Sequence, residues 1–110
     1  MLAPIGDAME TSELQSITSS ELRRKIAAGE PIVLVDVRTA QEHNDFNIGG
    51  VLIPITELHN RTAELNHDDE IIVYCHSGMR SASAAEILSS LNFKCVRSLA
   101  GGLKSWDYSI

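Results

Sequence analysis

Long apolar runs, an excess of positive charge and a set of cysteines are all missing from this sequence, and each absence excludes a class of protein. The apolar runs, as at Ile32 to Val35 and Ile71 to Val73, are strand-sized. A bilayer span needs roughly 18 to 20 apolar residues, so no membrane anchor is expected. Nine Lys and Arg stand against fifteen Asp and Glu, a net charge of -6. That balance argues against nucleic-acid binding, which normally needs a basic patch. The one dense basic run, Arg23-Arg24-Lys25 beside Glu21, reads as a solvated helix face. Two cysteines, Cys75 and Cys95, make no disulfide framework, and their spacing fits neither a zinc site nor a C-x-x-C pair. The four histidines are scattered without ligand spacing, and His43, His59 and His67 are expected at the surface. No metal or cofactor is expected. Met1 to Ser12 has no Lys or Arg ahead of a long apolar stretch, so no secretory signal is expected. The expected compartment is the cytoplasm, where both cysteines are thiols.

What is present suits one compact α/β domain. The 110 residues are 44% hydrophobic and 22% charged, a globular composition of single-domain length. Residues 1–12 read as a flexible arm and residues 13–110 as the domain. Leu14 to Ile17 is a candidate first strand. Thr18 with Glu21 has the form of a capping box ahead of a helix over about 19–28, stopped by Gly29. Ile32 to Val35 then reads as a strand buried on both faces, which implies a parallel sheet. Thr39 to Asp45 allows one or two helical turns, Val51 to Ile53 a short strand, and Ile71 to Tyr74 a fourth strand ending at Cys75. Ile55, Leu58 and Leu65 are candidate core residues between them. From Ser81, the residues Ala84, Ile87, Leu88 and Leu91 fall on one helix face, and Asn92 is placed to cap it. Cys95 to Leu99 gives a fifth strand, followed by Gly101, Gly102 and a short helix carrying Trp106.

Alternation of strands and helical segments predicts a mostly parallel five-stranded sheet with helices on both faces. Ligands of such sheets bind at the carboxyl ends of the strands. Cys75 lies at that end of its strand; Cys95 lies near the start of the next. About four residues of strand would separate the thiols, too far for a disulfide, so Cys95 is expected as a buried core residue.

Chemistry concentrates in Cys75-His76-Ser77-Gly78-Met79-Arg80-Ser81, between a buried strand and an amphipathic helix. Successive N–H groups there can curl around one point and form an anion nest. A thiolate at its centre would gain from those amides and from the positive end of the helix. Gly78 supplies the positive φ that a tight cradle needs. Arg80 offers planar donors to an oxyanion, or else braces the loop through Glu42 or Glu86. Asp36 is a candidate to brace the neighbouring loop. His76 is placed either near the anion or in solvent. The plain alternative for Cys75 is a small buried hydrophobe, but Gly, Ser and Arg in a tight loop do not resemble core filler.

Asp36-Val37-Arg38 with Glu42, Ile53-Pro54, Ile72-Val73-Tyr74-Cys75, the loop to Ser81, and Leu99-Ala100-Gly101-Gly102 ending in Trp106 together resemble the rhodanese family. The resemblance covers about residues 14–107 and implies a rhodanese-like fold. It implies that Cys75 takes the outer sulfur of a donor such as thiosulfate or a persulfide. The resulting persulfide, cradled by loop amides, passes that sulfur to a thiol, cyanide or a sulfur-carrier protein. Asp36 and Arg38 then belong to the supporting shell. Many relatives have Gly-His-Ile-x-Gly-Ala where this chain reads Phe46-Asn47-Ile48-Gly49-Gly50-Val51. This variant is similar to rhodanese domains fused to adenylating enzymes that load sulfur-carrier proteins, so a protein acceptor is an expectation. His76 stands where the family often has arginine, which removes a charge that would attract thiosulfate.

Two other classes compete. Cysteine phosphatases and arsenate reductases also set a thiolate among amides beside an arginine. Those of this fold place five residues between the two; Cys75 and Arg80 are separated by four. A non-catalytic interaction module is the other reading, since fold alone does not fix function. The oligomeric state is not legible in the sequence.

Overall fold

The structure, a computed structural model, describes residues 15–106. The expected arm over residues 1–12 and the proposed strand residue Leu14 lie outside the described residues. Five strands form one parallel sheet: β1 (Ser16–Ile17), β2 (Ile32–Asp36), β3 (Val51–Leu52), β4 (Glu70–Tyr74) and β5 (Cys95–Leu99), in the order β1-β5-β4-β2-β3. Helix α1 (Ser19–Ala27) follows β1, α2 (Ala40–Asp45) follows β2 and α3 (Met79–Ser90) follows β4. Short 3-10 turns span Ile55–Asn60, Thr62–Glu64 and Leu103–Ser105.

The period of two along each strand divides the core between the two faces. Val35, Val37, Ile71, Val73, Cys75 and Val96 pack under Ala84, Ala85 and Leu88 of α3, with Leu58 and Leu65. Ile17, Ile72, Tyr74 and Leu99 face the other way, against Leu22 of α1 and Leu103. Helical segments therefore cover both faces, as the alternation of elements predicts. The Thr18 hydroxyl caps α1 by accepting from Glu21 N at 3.1 Å, while the Glu21 carboxylate pairs with Arg97. Both halves of a capping box form one helix later, between Thr39 and Glu42.

Four expectations need correction. Cys95 is exposed. It opens β5 opposite Glu70, at the sheet's N-terminal margin, five positions before Cys75 in register. Being at the strand end on the side occupied by Arg97 and Glu21 outweighs its residue type. Leu91 is exposed too, because α3 has ended by that point, with Asn92 at φ 71 turning the chain. The basic run is only partly a solvated face. Arg23 lies 5.1 Å over the Trp106 ring, and Lys25 reaches Glu30 and Glu70, each at 3.1 Å. His43 is half-buried, for reasons given below.

Candidate active site

Strand β4 carries Cys75 to the carboxyl edge of the sheet, where the chain turns through residues 76–78 into α3. Cys75 Sγ accepts from Gly78 N at 3.1 Å and Ser81 N at 3.3 Å, and lies 3.5 Å from Ser81 Oγ. Gly78 adopts φ 102 as the N-cap of α3, and a Cβ there would lie 3.3 Å from Gly101 N. The left-handed turn is what swings the Gly78 N–H toward the sulfur. Burial pushes the Cys75 thiol up, yet the Ser81 hydroxyl and the amides of Ser81, Gly78 and Arg80 outweigh it and hold it below its ordinary value.

The carbonyls that would repel a thiolate are tied down on the other side. Cys75 O accepts from Leu103 N at 2.9 Å and His76 O from Lys104 N at 2.8 Å. This needs the Gly101-Gly102 turn to pass directly against the loop, since a Cβ on Gly102 would stand 2.6 Å from Cys75 O. In the sequence this Gly-Gly pair is only part of a motif; its approach to the loop backbone is visible in three dimensions.

Of the other loop residues, His76 and Ser77 are exposed, Met79 is 78% exposed and Ser81 is buried. The Arg80 guanidinium forms a bidentate pair with Glu42, Nη1 to Oε1 at 2.8 Å and Nη2 to Oε2 at 3.0 Å, tying α3 to α2. Glu86 lies on the far side of α3, lining a groove of about 440 Å³ with Gln15, Ser77 and Ser98. The Arg80 hydrogen bonds hold the Glu42 carboxyl down at about 2.

Asp36 and Arg38 are both buried and pair bidentately, Nε to Oδ1 at 2.9 Å and Nη2 to Oδ2 at 2.7 Å. Asp36 also bonds Arg38 N at 3.0 Å and His43 Nδ1 at 2.9 Å, which explains the burial of that histidine. Burial raises the Asp36 carboxyl, and the Arg38 and His43 bonds more than reverse the effect. Asp36 registers with Tyr74, whose hydroxyl donates to Gly49 O at 2.9 Å and accepts from Ile48 N at 3.3 Å. Burial, and then the Asp36 charge, push Tyr74 up to about 12. Tyr74 packs on the face opposite Cys75, so this network shapes the backbone from Val37 to Gly49 rather than touching the sulfur. Among the described residues, no buried side-chain polar atom lacks a partner and no cluster suits a metal ion. Nor is any described helix long and apolar enough to cross a membrane.

A parallel α/β sheet that presents a cysteine inside an amide loop defines a class of proteins whose loop can hold a sulfur anion. Within that class the chain belongs to the rhodanese-like domain family, whose model matches residues 18–109. YrkF of Bacillus subtilis (strain 168) is 35% identical over 96 residues, which cover 86% of this chain and 52% of YrkF. The chain thus spans about half the length of that relative. A protein of Allochromatium vinosum named Sulfurtransferase is 32% identical over 94 residues, 84% of this chain and 88% of its own. Among solved structures, a rhodanese-like domain protein from Staphylococcus aureus matches with a TM-score of 0.77 at 30% identity. The match covers 84% of this chain and 91% of that one. The rhodanese-like relatives of this chain thus include a protein named for sulfur transfer.

Proposed function

We propose that the protein moves sulfane sulfur from thiosulfate or a persulfide donor to a thiol, cyanide or a sulfur-carrier protein, through a persulfide on Cys75. The observation that carries this reading is the cradle itself: a cysteine sulfur accepting two loop amides, 3.1 and 3.3 Å away, at the head of a twelve-residue helix. The Cys75 residue is 0% exposed. A reacting partner must therefore present a narrow projecting atom, which a terminal sulfur is and a phosphate group is not. With Arg80 held by Glu42, the oxyanion donor that phosphate chemistry needs is turned elsewhere.

In the first step the Cys75 thiolate attacks the outer sulfur of thiosulfate. A Cys75 S–S bond forms, the donor S–S bond breaks, and sulfite departs with the electron pair. With a persulfide donor, a thiolate departs instead. The outer sulfur now carries the negative charge, beside the Sγ that accepts from the amides of Gly78 and Ser81. In the second step an acceptor thiolate or cyanide attacks that outer sulfur, and the electron pair of the broken S–S bond returns to Cys75. No external oxidant or reductant is consumed.

The test is intact mass before and after thiosulfate, for the wild type and for the Cys75→Ala and Cys95→Ala variants, followed by cyanide. The expected result is a gain of one sulfur atom that needs Cys75, survives loss of Cys95 and is removed by cyanide. No gain from thiosulfate or from a persulfide donor would sink the reading and favour an interaction module.

A further inference from the structure

The polar contacts of the Cys75 sulfur do not end at Ser81. Ser81 Oγ lies 2.7 Å from Ser98 Oγ, on the neighbouring strand β5. Ser98 pairs in register with Val73, so its side chain rises on the same face as Cys75. Ser81 and Ser98 are 0% and 6% exposed. A hydroxyl has one hydrogen to give and two lone pairs to receive with. For its single hydrogen Ser81 has three acceptors in reach: Ser98 Oγ at 2.7 Å, Gly78 O at 3.2 Å and Cys75 Sγ at 3.5 Å. What Ser98 does decides among them. If Ser98 donates, Ser81 Oγ is engaged as an acceptor and its hydrogen is released to the sulfur or to Gly78 O. A charged sulfur then wins over a neutral carbonyl, because charge-assisted hydrogen bonds are about twice as strong.

We propose that Ser98 is a positioning residue for the sulfur chemistry: its hydroxyl donates to Ser81 Oγ, anchoring that hydroxyl and polarising its one hydrogen toward the Cys75 sulfur whenever that sulfur is negative. The purpose of this device rests on the sulfur-transfer reading above; its test does not. The thiolate then has four donors, the N–H groups of Gly78, Arg80 and Ser81 and the O–H of Ser81. The same four stabilise the negative charge that returns to Cys75 when an acceptor takes the outer sulfur. A neutral thiol reverses the hydroxyls, with S–H donating to Ser81 Oγ and Ser81 donating to Ser98. The pair of serines thus follows the charge on the sulfur without any movement of the backbone.

The test uses an isosteric pair. Ser98 borders the groove of about 440 Å³ lined also by Ser16, Ala85 and Ala100, so an added methyl has room. Thr and Val both suit a β-strand and differ here only in the hydroxyl. Ser98→Thr and Ser98→Val are made on a Cys95→Ala background, and Cys75 ionisation is followed by the ultraviolet absorbance of the thiolate. The Cys75→Ala, Cys95→Ala double variant serves as blank. Around the loop stand Arg80 with Glu42 of α2, His76, Lys104, Glu86 of α3, and Asp36 with Arg38 of β2 and its following loop. None of these is changed by the substitutions. The expectation is that Thr titrates with the wild type. Val, which leaves the Ser81 hydrogen able to reach the sulfur but neither anchored nor polarised by Ser98, titrates about 0.3 to 0.5 pH unit higher, leaving about two- to threefold less thiolate below both pKa values. Equal titration of Val and wild type overturns the proposal, as does a Thr variant shifted as far as Val. Should Val not fold, Ser98→Ala replaces it with the same expectation. Thiosulfate loading, read by mass in parallel, separates the two claims. A Val-specific shift without loading in any variant upholds the positioning and sinks sulfur transfer. Loading with an unshifted Val does the reverse.

Discussion

Gly102 sits at φ 60 and ψ -162, a region that residues with a Cβ almost never enter. It is also pressed against the backbone that carries the sulfur, where a Cβ would stand 2.6 Å from Cys75 O. Gly29 has φ 68 and open space around it. The two glycines therefore separate conformation from contact. Gly29→Ala is expected to lower stability by about 1 kcal/mol, the ordinary cost of a side chain in left-handed backbone. Gly102→Ala is expected to cost about 3 kcal/mol or more, because strain and collision add. It should also impair sulfur loading by pushing the Cys75 and His76 carbonyls out of place. Urea denaturation of both variants, with loading read by mass, checks this; equal costs would mean that the turn yields without disturbing the loop. Such a role is invisible in sequence, where Gly101-Gly102 reads only as part of a motif. Cys75 and Gly78 were legible because the loop joins a strand end to a helix start. Ser98 was not, because nothing in a five-residue strand says that its one serine will meet a hydroxyl from another element.

Helices α2 and α3 are joined by the Glu42 and Arg80 pair, and Glu42 also caps α2 by accepting from Thr39 N at 3.1 Å. Glu42→Gln keeps a group able to cap and removes the charge, so it isolates the ion pair. Both side chains are about a third exposed, 36% and 34%, so solvent screens most of what the lowered pKa of Glu42 would suggest. The expected loss is about 1 kcal/mol at neutral pH. The sign follows from a folded pKa of about 2 against an ordinary 4.5. The contribution is complete above the unfolded value and is lost as pH falls through the folded one. Denaturation midpoints of wild type and variant should differ at pH 7 and converge as pH approaches 2. A gap that persists in acid would assign the stabilisation to packing of α2 instead. At this scale the strands were the readiest elements to read, since β-branched runs such as Ile32 to Val35 and Ile71 to Val73 have few other uses. The start of α3 was harder. It begins at Met79 rather than Ser81 because its N-cap is Gly78, which has no side chain to announce it. Leu91 kept the helical period after the helix had stopped, and Cys95 showed that position at a strand end overrides a residue's usual burial.

The whole molecule carries a net charge of -6, and a small donor such as thiosulfate is a dianion. At the mouth of the loop the Arg80 charge is matched by Glu42, and the exposed position after Cys75 is histidine. Exposed Lys104, whose N–H donates to His76 O, is left as a single local charge against the general field. An acidic surface slows the approach of a small anion, and salt relieves the effect by shortening the range of the field from ~30 Å at 0.01 M to ~8 Å at 0.15 M. Over that span kcat/KM for thiosulfate, assayed as thiocyanate formed from cyanide, is expected to rise by about twofold or more. An alkyl persulfide carrying no other charge should show a smaller rise, since less of its encounter is opposed. Glu42→Gln is expected to raise the thiosulfate value at low salt by releasing the Arg80 charge. A rate that falls as salt is added would mean that the amides and helix end at Cys75 dominate the approach as well as the chemistry. The donor preference would then follow from the loop rather than from the overall charge.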